Sequence, residues 1–152
     1  IKFSEKESYC ESTTVSGGQK AVICETPLGC FGQTICYDLR FPHLYRKLSQ
    51  AGAQILVVPA AFTKKTGETH WHVLNRARAI ENGAFVVAPC AVGKVEGGGE
   101  SYGYSLIINP WGEILADAGS DSGLINANID LEEVNSARMR IPSLRHDKSF
   151  QF

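Results

Sequence analysis

Two apolar runs, Ile55-Leu56-Val57-Val58-Pro59 and Ala84-Phe85-Val86-Val87-Ala88-Pro89, constrain the fold of this chain more than any other feature. Continuous apolar runs of this length suit strands covered on both faces in a parallel sheet. Phe31 to Cys36 reads as a third strand of the same kind. Two segments of helical period separate the three. Pro42 opens the first, which runs to about Gln50 with Leu44 and Leu48 on one face and Arg46, Lys47 and Gln50 towards water. Ala60 to Glu68 reads as a loop, and Thr69 as the N-cap of a second helix to Asn82. Trp71, Leu74 and Ala77/Arg78 fall at helical spacing there, and Asn82-Gly83 is a helix stop. The order β-α-β-α-β with short connections implies parallel strands and right-handed crossovers, an α/β fold.

The flanks have a different character. Residues 1–20 are polar and read as an irregular lead-in, with Val22-Ile23-Cys24 as a short strand after it. Gly97-Gly98-Gly99 reads as a turn or mobile loop; it lacks the Lys-Ser/Thr and helix that a phosphate loop needs. Tyr104 to Ile108, Gly112 to Ala116 and Leu124 to Ile129 read as an antiparallel meander with Asn109-Pro110-Trp111-Gly112 as a tight turn. Asp130 caps a last helix from Leu131 to about Arg140, and a polar tail follows Pro142.

With 152 residues the chain has enough sequence for one domain with a proper core, but not for two. A net charge of −1 without a basic block implies neither a nucleic-acid partner nor an anionic membrane surface. No apolar run is long enough to cross a bilayer. The five cysteines, Cys10, Cys24, Cys30, Cys36 and Cys90, include no CxxC pair and no zinc-ligand spacing. They read as reduced thiols in a cytoplasmic setting.

Cys36 is the residue with chemical promise. A thiol where a strand gives way to a helix opened by Pro42 faces that helix's N-terminus, which favours the thiolate and predicts a lowered pKa. The alternative is a small buried apolar residue. In open α/β sheets ligands bind outside the carboxyl ends of the strands. Cys36, Ala60, Ala61, Phe62 and Cys90 all fall at such ends and should line one crevice, Cys90 as a wall residue. A thiol nucleophile also needs a base. His70, on the strand-end side of the second helix, either makes a Cys–His pair or packs beside Trp71. Asp38 and Arg40 are expected to brace the corner by hydrogen bonds, and Arg78 with Glu81 to form an ordinary i,i+3 ion pair.

The strings ICYDLRFP (35–42), GAQILVVPAAF (52–62), HW (70–71), RARAIEN (76–82), YGYS (102–105) and NPWGEIL (109–115) resemble the nitrilase superfamily of carbon–nitrogen hydrolases. The similarity is to the branch that includes omega-amidase and deaminated-glutathione amidase. It implies an α-β-β-α sandwich that pairs through a helix face into dimers or larger homo-oligomers. It implies a small amide substrate and no metal or organic cofactor. The implied chemistry uses a cysteine nucleophile, a glutamate base and a lysine that stabilises the oxyanion. The cysteine carries over to Cys36, and the N–H of Tyr37 joins the oxyanion site. A further family glutamate carries over to Glu11, in Glu11-Ser12 followed by Ser16-Gly17-Gly18; Glu7-Ser8 is a weaker match, and a solvated loop acid is the plain alternative for Glu11. No residue here matches the base glutamate or the oxyanion lysine. The chain, beginning at Ile1, is therefore expected to be the C-terminal portion of a subunit whose N-terminal half partners it. Two other readings stay open: a Cys–His hydrolase or acyltransferase using His70, and a non-catalytic fragment.

Overall fold

A computed structural model describes residues 1–2, 10–95 and 99–151; Glu7, Ser8, Gly97 and Gly98 lie outside the described residues. Strands β1 (Val22–Thr26) and β2 (Gly29–Gln33) form an antiparallel hairpin. The 3-10 turn Cys36–Arg40 leads into helix α1 (Pro42–Gln50), then β3 (Ile55–Val57), helix α2 (Lys64–Asn82) and β4 (Phe85–Ala88). Strands β5 (Val92–Lys94) and β6 (Glu100–Tyr102) make a separate hairpin. Strands β7 (Leu106–Ile108) and β8 (Ile114–Asp117) precede helix α3 (Glu132–Arg140). The main sheet has the order β1-β2-β3-β4-β7-β8. Its centre, β2-β3-β4, is parallel, as the alternation of strands and helices implies.

Side-chain alternation along the central strands divides the core. Leu56, Val58, Val86 and Ala88 join Tyr45 and Leu48 of α1 and Trp71 and Ala79 of α2 in one cluster. Ile55 and Phe85 point the other way and meet Val134 of α3. Strands β3 and β4 are thus apolar on both faces, which is why their sequences show no period of two. Beside the β5–β6 hairpin, the described residues supply one six-stranded sheet with a helical layer, together with α3 over part of the opposite face.

Several expectations change at this level. The strand expected to reach Cys36 ends at Gln33, because the chain turns into the 3-10 segment. Helix α2 starts at Lys64, not after Thr69. The carbonyl of Thr63 accepts N–H bonds from Thr66 and Gly67, so Gly67, which reads as a loop residue, lies within the first helical turn. Position 67 is glycine for a tertiary reason: a Cβ there would sit 2.3 Å from Cγ of Tyr102. Tyr102 occupies the space that any larger residue would need. Gly83 ends α2 in the left-handed conformation, φ 51°, as its position after Asn82 implies.

Among the described residues the meander has two strands rather than three. At the β7–β8 turn, Asn109 Oδ1 accepts the N–H groups of Trp111 and Glu113 at 3.0 and 2.9 Å. The expected third strand, Leu124 to Ile129, makes no ladder, and Leu124 is 93% exposed. Asp130 does cap α3, its Oδ1 accepting the N–H of Glu132 at 2.9 Å. Arg46 and Gln50 of α1 hold the tail rather than simply facing water. Arg46 bonds Asp147 and the Ser143 carbonyl, and Gln50 bonds Asp147 and the Leu144 carbonyl.

Candidate active site

The carboxyl ends of β2, β3 and β4 continue beyond the strands through single backbone bonds. Thr34 N–H reaches the Val57 carbonyl at 3.1 Å, Cys36 N–H the Pro59 carbonyl at 2.8 Å, and Ala60 N–H the Pro89 carbonyl at 2.9 Å. These bonds bring residues 36, 59–62 and 89–91 together above the sheet. Cys36 has a φ of 45°, a conformation that disfavours a side chain bearing a Cβ and costs on the order of 1–3 kcal/mol where the fold imposes it. Asp38 helps impose it: its Oδ2 accepts the Ile35 N–H at 2.9 Å, closing the corner across the cysteine.

Cys36 opens into a cleft of about 1700 Å³, which Glu11, Tyr37, Ala61 and Phe62 also line. The backbone N–H groups of Ala61 and Tyr37 point at its sulfur and favour the thiolate. Burial opposes them and prevails, and the negative charge of Glu11 adds to its effect, so the pKa of Cys36 is raised. This reverses the lowered value expected from a helix N-terminus. The half-buried sulfur loses more from desolvation than two N–H groups return. A thiol in this state is protonated at rest and needs a base to become a nucleophile.

The remaining residues divide between the cleft and its supports. Phe62 is buried, packs on Trp71 with ring centroids 5.0 Å apart, and lies under the Arg40 guanidinium at 5.2 Å. Ala60 serves through its backbone, pairing with the Cys90 segment outside the cleft lining. His70 is exposed, and its Nδ1 lies 3.3 Å from Arg40 Nη1. Arginine only donates, so this nitrogen accepts and its lone pair is engaged. Among the described residues no hydrogen bond joins His70 to Cys36. Arg40 therefore braces through Tyr37, Phe62 and His70 rather than through the backbone of the corner. Cys90 is buried behind the cleft, its N–H bonded to Ser105 Oγ at 2.9 Å.

Sequence reasoning missed the roles of His72 and Tyr102. His72 Nε2 sits 3.0 Å from Asp117 Oδ2, with its ring edge-on to Tyr102 and Tyr104. Lys64 pairs with Glu100 at 3.0 Å, and Tyr102 N–H bonds the Phe62 carbonyl. These contacts seat the β5–β6 hairpin against the cleft wall. The YGYS string was the one available signal. Among the described residues no group of three or more His, Cys, Asp or Glu is gathered to hold a metal, and no helix is long and apolar enough to cross a membrane. All five cysteines are free.

Residues 3–139 match the carbon-nitrogen hydrolase family. The deaminated glutathione amidase of Synechocystis is 47% identical over 148 residues, covering 96% of this chain and 54% of that protein. The NitFhit protein of C. elegans superposes with a TM-score of 0.89 at 38% identity, over 97% of this chain and 36% of that one. An amidase from Nesterenkonia sp. AN1, in which acrylamide has undergone Michael addition at the active-site cysteine, has a TM-score of 0.68 at 28% identity. That match covers 84% of this chain and 50% of the amidase. The chain spans about half the length of the curated relatives it matches. It belongs to the carbon-nitrogen hydrolase family, within the omega-amidase-like branch of the nitrilase superfamily.

Proposed function

We propose that this segment carries the nucleophile of a cysteine-dependent amidase. The observation that carries the reading is the strained Cys36, set at the mouth of a cleft with the N–H groups of Ala61 and Tyr37 aimed at its sulfur. The thiolate adds to a carboxamide carbon, ammonia leaves with a proton from the base, and water hydrolyses the thioester to carboxylate and free thiol. The raised pKa of Cys36 makes an external base a requirement. In this reading the N-terminal half of the subunit supplies the base glutamate and the oxyanion lysine, and Glu11 faces them across the cleft to orient the lysine. Ala61 and Phe62 line the substrate's path, Ala60 holds that wall, and His70 steadies Arg40 at its rim.

The substrate class is a small ω-amide of a dicarboxylic acid or a deaminated-glutathione-like amide, which the similarity to deaminated glutathione amidase supports. Subunits pair through the outer face of α2, where Val73 and Ile80 are exposed. The free cysteines fit a reducing, cytoplasmic setting. The test joins this segment to the family's N-terminal half and measures ammonia release from such amides. Cys36→Ala should abolish it; undiminished turnover would overturn the reading. An equal loss on His70→Ala would favour the Cys–His alternative. This segment assayed alone should be inactive.

A further inference from the structure

Arg78 is 4% exposed, and the amidase chemistry leaves it without a role. Its Nε and Nη2 both donate to the Leu39 carbonyl, at 3.1 and 2.7 Å. Nη1 donates to Glu81 Oε2 at 3.0 Å. The guanidinium also lies over the Tyr45 ring, 5.5 Å from its centroid. Tyr45 is bonded in turn to Thr34 Oγ1 at 2.8 Å, and Thr34 Oγ1 donates to the Val57 carbonyl at 2.8 Å.

These contacts bracket the nucleophile. Leu39 lies near the end of the single turn that Cys36 begins, where carbonyls have no partner within the turn. Thr34 lies two residues before Cys36. One buried cation thus fastens the exit of the strained corner directly, and its entry through Tyr45 and Thr34. An ordinary i,i+3 pair explains only the Glu81 contact. The Glu81 side chain is 49% exposed, and a pair of that kind contributes little.

We propose that Arg78 is a positioning residue that holds Cys36, at the head of its turn, in the left-handed conformation. The proposal rests on the reading of Cys36 as nucleophile. Arg78 acts on geometry, since the groups that set the Cys36 titration are its burial, Ala61, Glu11, Cys90 and Tyr37.

The experiment uses the polypeptide that joins this segment to the family's N-terminal half. Arg78→Met should lower kcat about 100-fold with KM held within roughly threefold, because Arg78 itself lies outside the cleft lining. Arg78→Lys should recover only part of kcat, since an ammonium cannot fork onto one carbonyl. Added guanidinium ion, at concentrations far below denaturing, should partly restore Arg78→Met. Full parental kcat in Arg78→Met or in Arg78→Lys would overturn the proposal. Should Arg78→Met fail to fold, Arg78→Lys decides. Failure of the underlying reading shows separately, as ammonia release that survives Cys36→Ala.

Discussion

The backbone N–H of Ala61 points at the sulfur of Cys36, yet burial outweighs it and the thiol's pKa is raised. The corner therefore presents a strained thiol to N–H donors without lowering its pKa. Strain and N–H donors are built into this corner, while deprotonation of a thiol with a raised pKa requires a base.

Iodoacetamide mapping of this segment should accordingly label exposed Cys10 and Cys24 before half-buried Cys36 at neutral pH. Labelling of Cys36 should rise only above the ordinary thiol range. Glu11→Gln removes a charge that opposes the thiolate, so the midpoint should move down in pH; an unmoved midpoint would detach Glu11 from the site. The linkage has a definite sign. The folded state holds the Cys36 proton more tightly, so the associated stability is present below the ordinary thiol value and lost as pH rises through the folded one.

At Gly67, substitution by alanine should lower stability despite the better helix propensity of alanine. A Cβ there would lie 2.3 to 2.6 Å from three atoms of Tyr102, and overpacking of this kind costs about 1–3 kcal/mol. Urea denaturation gives the cost. In a Tyr102→Ala background the same change should be neutral or stabilising; an undiminished penalty there would mean that the ring is not the obstacle.

Tyr45→Phe removes the hydroxyl bonded to Thr34 at 2.8 Å while keeping the ring under Arg78. The expected loss is about 1 kcal/mol in a urea midpoint analysis. The buried Tyr45 hydroxyl has its pKa pushed far above the ordinary phenol range. Alkaline difference spectra should therefore show Tyr45 resisting ionisation while the chain stays folded; ionisation of Tyr45 in the ordinary phenol range would contradict its burial.

Val73, 64% exposed on α2, offers a test of assembly. Val73→Glu should leave the melting of a single subunit nearly unchanged, because an exposed substitution removes no packing. In the assembled amidase it should shift sedimentation towards smaller species. Unchanged sedimentation would remove this face from the proposed interface.

Much of this protein follows from local sequence. The apolar runs at 55–59 and 84–89 specify strands buried on both faces, Pro42 and Gly83 mark helix ends through fixed or permissive φ, and Asp130 and Asn109 fold their side chains back onto neighbouring N–H groups. These are effects within a few residues, so they are legible in the order of residue types. The string from Ile35 to Pro42 likewise marks the corner that bears Cys36. What only the tertiary structure decided involves groups far apart in the chain. Position 67 has no room for a side chain because of Tyr102, Leu124 joins no ladder among the described residues, and Arg78 is buried with its guanidinium on the Leu39 carbonyl. The Cys36 titration turns on the same distinction: its place before a helix predicts one sign, and the burial produced by packing decides the other, because desolvation depends on everything that surrounds the sulfur.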